Sequence, residues 1–137
     1  MNNRLIGSWR LVSYETEEPG GRRGQPYGQA VGRLTYDENG NMTGQVMRPG
    51  RAEVSLGEGS AQQVRAAYLG YIAYFGTYEI NADGTSVVHH VHGALNPAWV
   101  GGDQVRGLRF EGEQLVLSAG VTKGGAIVTH VLTWEKC

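Results

Sequence analysis

The stretch SVVHHVHGALNPAWV, residues 86–100, holds three of the chain's four histidines and runs on into a proline and a tryptophan. Side chains of an extended strand alternate between its two faces, which divides Val88, His90 and His92 from Val87, His89 and Val91. With the His90/His92 pair turned inward and His89 outward, a further imidazole, His130, joins from VTHVLTWEK near the end of the chain. An imidazole titrates near neutrality, and it exchanges a proton with a ligand when a partner fixes its tautomer and water is excluded. His90 is then the first choice for proton transfer, with His130 and His92 behind it. The same three residues have the donor set of a zinc or non-haem iron centre, an H-x-H pair plus one imidazole from another strand. A metal-dependent enzyme using His90, His92 and His130 is therefore an alternative, weakened by the absence of any Asp or Glu within the stretch.

The block NPAWVGGDQVR adds two further groups. Trp99 offers a flat apolar surface, and the Arg106 guanidinium is suited to a carboxylate, enolate or phenolate, which it can hold bidentately. Arg109 falls on the opposite face of the same strand, so one of the two arginines is expected in solvent unless a bulge intervenes. Tyrosines crowd the preceding region at 68, 71, 74 and 78, and Tyr36 lies on the apolar face of an earlier hairpin. A wall of Tyr36, Tyr74, Tyr78, Trp99 and His92 suits a ligand with rings and a few oxygens. Each residue also has a plainer reading: core packing for Trp99 and some tyrosines, and an ion pair with Glu79 or Glu135 for one arginine.

These side chains need strands to hold them. Glycine supplies 22 of the 137 residues, and the apolar runs are rich in β-branched and aromatic residues, a pattern of many short strands and tight turns. SWRLVSYE alternates as a first strand. VGRLTYDENGNMTGQVMR is a hairpin turning through Asn39-Gly40, with Leu34 and Tyr36 on one face of its first arm and Met42, Gly44 and Val46 on one face of its second. TEEPGGRRGQPYGQ and RPGRAEVSLGEG read as loop and link. The one helix signal is SAQQVRAAYLG, where Ser60 and Gln63 form a capping box, Val64, Ala67, Tyr68 and Tyr71 follow as a stripe, and Gly70 suits a left-handed stop. Four further runs of strand, joined in pairs at Asn81–Gly84 and Glu111–Glu113, lead to GAIVTHVLTWEK. About eight strands with hairpin-length connections favour adjacent antiparallel pairing, as a sandwich or a closed barrel.

Composition sets limits. Twelve basic against 13 acidic residues leave a formal charge of -1, which gives no broad field for nucleic acid or an anionic membrane. Cys137 is the only cysteine, so no internal disulfide forms, and a chain of this length is expected to be one domain over residues 1–137. The opening MNNRLIGSWR has only Leu5-Ile6 as an apolar core, and no run approaches a membrane helix, so a cytoplasmic protein is expected. Nucleophile elbows, phosphate-binding glycine loops and Cys-x-x-Cys pairs are absent from the sequence.

Gly7-Ser8-Trp9 on the first strand resembles the Gly-x-Trp signature of lipocalins and the wider calycin group. GRLTYDENGNMTGQVMRPGR, GYIAYFGTYEI, VVHHVHGALNPAWVGGDQVR and THVLTWEK resemble the bacterial lipocalin-like domain family over nearly the whole chain. The resemblance implies an all-β fold: an antiparallel up-and-down barrel of eight or more strands with one short inserted helix and a cavity for a small organic ligand. Together with the residues above, the expectation is a protein binding a partly aromatic or polyketide-like ligand. It allows cofactor-free isomerase, cyclase or lyase chemistry in which His90 or His130 moves the proton and Arg106 or a tyrosine steadies an oxyanion. A non-catalytic carrier is the rival. No cofactor, nucleic acid or membrane partner is expected, and a homodimer is one option for its assembly.

Overall fold

The computed structural model describes residues 3–54, 57 and 59–137. Its strands are β1 (Gly7–Glu17), β2 (Arg23–Gly24), β3 (Val31–Tyr36), β4 (Asn41–Met47), β5 (Tyr71–Ile80), β6 (Ser86–Ala94), β7 (Asp103–Glu111), β8 (Gln114–Lys123) and β9 (Ala126–Lys136), with one helix, α1 (Ala61–Leu69), between β4 and β5. Eight of them form a ring in the order β1-β3-β4-β5-β6-β7-β8-β9, and β1 pairs with β9 to close it. Every pairing is antiparallel. The extra strand, β2, pairs Arg23 and Gly24 with Glu17 and Thr16 of β1 inside the segment expected as a loop. Closure leaves no long unpaired edge among the described residues, which is how a barrel escapes the association that open sheets invite.

The ring has a packed end and an open end. At the packed end, Leu5, Trp9, Tyr36, Val87, Leu115 and Trp134 are all buried. Trp9, in the Gly-x-Trp triplet, donates its indole N–H to the Leu5 carbonyl at 2.8 Å, so its polar atom is satisfied inside the plug. Asn3 and Arg4, ahead of β1, are tied down across this end, where Asn3 bonds the Tyr78 hydroxyl and the Arg4 guanidinium lies 3.8 Å from the centre of the Phe110 ring.

Two bulges set which side chains face inward. In β1, Leu11 opposes Trp134 and Ser13 opposes Thr133, leaving Val12 as the extra residue. The alternation Trp9, Leu11 then resumes at Tyr14, which a regular strand would turn outward. In β6, Val91 opposes Gly76 and Gly93 opposes Phe75, leaving His92 unpaired between them. The backbones come so close there that a Cβ on Gly76 would lie 1.8 Å from the His90 carbonyl oxygen.

The helix carries the expected capping box, with Ser60 accepting from the Gln63 N–H and the Gln63 side chain accepting from the Ser60 N–H. Its end differs from expectation. Gly70 has φ -89°, not a left-handed value, and a Cβ there would meet the Arg51 side chain at 2.8 Å. Tyr71 already belongs to β5, and no helix residue is buried, so α1 lies on the barrel without filling it. The link after β4 falls partly on residues 55, 56 and 58, and the chain start includes 1 and 2; these lie outside the described residues. No helix among the described residues is long and apolar enough to cross a membrane.

Candidate functional site

A cavity of about 360 Å³ occupies the barrel between the packed end and the open end. Leu34, Met42, Leu117 and Trp134 line its lower part, while Tyr14, Tyr74, His89, Arg106 and His130 bring polar groups to its walls. Trp99 also lines it, held by a 3₁₀ turn, Pro97–Trp99, in which Asn96 caps the Ala98 N–H.

The histidine stretch is turned the opposite way from the expectation. His89, not His90 or His92, faces the interior: it is 2% exposed and flanked by buried Val87 and Val91. Both ring nitrogens are occupied, Nε2 by the Tyr36 hydroxyl at 2.6 Å and Nδ1 by the Tyr74 hydroxyl at 2.6 Å. Burial, then the positive charge of Arg106, then His90, push its pKa down to about 3, so the ring is neutral across the ordinary pH range. Burial correspondingly raises the pKa of Tyr74 and, well above its ordinary value, that of Tyr36.

His130 lies where alternation along β9 puts it, on the cavity wall with Leu132 and Trp134. Its Nδ1 meets the Tyr14 hydroxyl at 2.7 Å. Burial lowers its pKa, assisted by Arg106 and Lys123, while burial raises Tyr14 to about 12. Sequence alternation alone hides Tyr14, because the bulge at Val12 turns it inward.

Arg106 reaches the cavity and donates to the Val105 carbonyl and to Gln104 Oε1, each at 3.0 Å. No carboxylate neutralises it among the described residues. The acids considered for that role are engaged elsewhere: Glu135 pairs with Arg10 at 2.7 Å, and Glu79 approaches His90. Of the two arginines it is Arg109 that is outside, paired with Glu111 at 2.8 Å.

The remaining expected site residues divide. Tyr74 and Trp99 share the cavity wall, their rings edge to face at 6.1 Å and 89°. Tyr36 and Tyr78 are buried below it with ring centres 4.7 Å apart, and the Tyr78 hydroxyl donates to the Asp37 carbonyl at 2.8 Å. His90 is on the outer wall, its Nδ1 2.8 Å from Asp103 and its Nε2 3.4 Å from Glu79. The hydrogen bonds to Asp103 and then Glu79 raise its pKa. His92, at the bulge, is exposed. The sheet thus stands between this pair and His130, so the proposed union of three imidazoles at a metal does not form. Among the described residues no group of three His, Cys, Asp or Glu side chains is placed to hold a metal ion.

The cavity therefore combines apolar walls, an uncompensated guanidinium, tyrosine hydroxyls and neutral imidazoles. Such a set binds an oxygen-bearing anion better than a cation, and it supplies hydrogen bonds in a medium where they are strong.

Residues 6–137 match the family described as Lipocalin-like domain. The fold comparison includes a solved siderocalin, Ex-FABP, described as functioning through dual ligand specificities; it is 10% identical, the match covers 98% of this chain and 71% of that one, and the TM-score is 0.36. None of the curated proteins compared matches the sequence significantly.

Proposed function

Since the chain belongs to the family of lipocalin-like domains, we propose that its barrel binds a small organic ligand, partly aromatic and negatively charged, in the central cavity. One observation carries the reading: Arg106 brings a positive charge to a largely apolar chamber without a carboxylate partner among the described residues. An unpaired charge in such a place is costly, and a ligand carboxylate, enolate or phenolate offsets it. The aromatic character follows from Trp99 and Tyr74, which line the cavity with their rings edge to face. Calorimetric titration with 1-naphthoate tests the reading. Arg106→Gln is expected to weaken binding at least tenfold, and equal affinity for the two proteins rejects an anion site at Arg106.

Acid–base chemistry is the second reading, favoured by one feature of His130. Its ring contacts Tyr14 through Nδ1, and its other nitrogen has no protein partner among the described residues. With Nδ1–H donating to Tyr14, Nε2 takes a proton from carbon α to a ligand carbonyl while Arg106 receives the enolate oxygen. The methyl group of 1-acetonaphthone in D₂O reports this step. Exchange that is faster than in buffer and lost in His130→Ala supports it, and wild-type exchange at the buffer rate rejects it.

A further inference from the structure

We infer that Tyr36, which lies beneath the cavity and does not line it, is the positioning residue of the site: through His89 it fixes Tyr74 as a hydrogen-bond donor toward the ligand, which presents a carbonyl or oxyanion oxygen there. The inference rests on the ligand-binding reading but is independent of the ligand's charge.

The argument is a count of protons. Tyr36 is 1% exposed, and the only partner of its hydroxyl among the described residues is His89 Nε2 at 2.6 Å. A hydroxyl has one proton to give. If Nε2 carried a hydrogen, the Tyr36 proton would be buried with no acceptor, a costly state that native interiors avoid. Tyr36 therefore donates, and Nε2 is the bare nitrogen. The neutral ring, kept so by its burial, then carries its hydrogen on Nδ1. That N–H faces the Tyr74 oxygen at 2.6 Å and donates to it.

Tyr74 is left with its own O–H and no protein acceptor for it among the described residues. Unlike Tyr36, Tyr74 lines the cavity, so its proton is available to whatever fills that space. The opposite direction, Tyr74 to His89 to Tyr36, would strand the deeper proton. The difference in depth between two tyrosines on one imidazole thus sets the direction of the whole chain. A ligand group that only donates meets a second donor at Tyr74, whereas a carbonyl or oxyanion oxygen meets the partner it needs.

Nitrogen NMR of the ligand-free protein reads the tautomer directly. His89 protonated at Nδ1 in the wild type, with both tautomers populated in Tyr36→Phe, is the expected result. His89 protonated at Nε2 or at both nitrogens at neutral pH overturns the relay, as does a tautomer unchanged in Tyr36→Phe, which would make Tyr36 packing alone. Calorimetry then compares the ketone 1-acetonaphthone with 1-ethylnaphthalene. Relative to the wild type, Tyr74→Phe is expected to shift the affinity ratio against the ketone by roughly tenfold, and Tyr36→Phe by less, the scale of one well-placed hydrogen bond. A ratio unmoved by Tyr74→Phe overturns the acceptor assignment. The nitrogen spectrum requires no ligand, so it decides the relay even where binding of 1-naphthoate proves insensitive to Arg106.

Discussion

Tyr36 Oη lies 2.6 Å from His89 Nε2, a contact between residues 53 apart in the chain, because β3 and β6 both direct these side chains into the lower barrel. Removing the imidazole leaves two tyrosine hydroxyls without their partner and opens a void between them. His89→Ala is therefore expected to lower stability by roughly 3 kcal/mol, from lost packing and unmade hydrogen bonds together. Urea unfolding checks this, and a loss under about 1 kcal/mol would show that water replaces the ring at little cost.

The same burial makes stability depend on pH. His89 has a folded-state pKa of about 3 against 6.5 in the unfolded chain, so between these values the unfolded state binds the extra proton. Stability is thus fully present above about pH 6.5 and falls as pH drops toward 3, by about 1.4 kcal/mol per pH unit for this one group. His130, also lowered, acts in the same direction. His90, raised by its acidic neighbours, acts oppositely: its contribution is present at low pH and fades as pH rises through its folded pKa. Unfolding midpoints from pH 3.5 to 7, compared between wild type and His89→Gln, isolate the effect, and parallel curves for the two proteins would refute it.

Gly76 has no room for a side chain, since its missing Cβ would sit 1.8 Å from the His90 carbonyl oxygen. Gly76→Ala must either push β6 away or break the pairing around the His92 bulge. The expected cost is above about 3 kcal/mol, in the range of backbone clashes in a core. Thermal unfolding gives the answer, and a substitution tolerated within about 1 kcal/mol would mean that the two strands yield easily.

His90 belongs to an outer cluster with Asp103 and Glu79. His90→Ala is expected to leave affinity for 1-naphthoate within twofold of the wild type. Asp103→Asn is expected to lower the pKa of His90, followed by proton NMR, because the hydrogen bond that Asp103 accepts from His90 is the first cause of its elevation. A tenfold loss of affinity in His90→Ala would return His90 to the ligand site.

Much of the barrel is legible from local chemistry. Asn39-Gly40 marks the hairpin, Ser60 with Gln63 marks the helix start, and the apolar alternation around His130 places that residue inward. His89 shows where such reading stops. Alternation separates His89 from His90 and His92, but it cannot say which set meets the core. That choice follows from the packing of Val87 and Val91, the more apolar company, against the opposite wall. Val87 and Val91 are the local signal for His89 facing inward, and the H-x-H spacing of His90 and His92 points the other way. For Tyr14 no local signal exists, because the bulge at Val12 arises from the long-range register between β1 and β9. The partnership of Tyr36 with His89 and Tyr74 is likewise a product of closure.

That closure also has a consequence in time. Arg10 and Glu135, bonded across the β1–β9 junction, are separated by 125 residues, so the ring shuts only when distant parts of the chain meet. Neighbouring hairpins can form early, but a topology completed by such distant pairing pays its loop entropy before it gains those last contacts, which slows folding. Until that final zipper forms, β1 and β9 are open edges, and the chamber that holds Arg106 does not yet exist. Ligand capture is therefore expected to appear late in refolding, in step with β1–β9 docking and behind the gain of local strand structure.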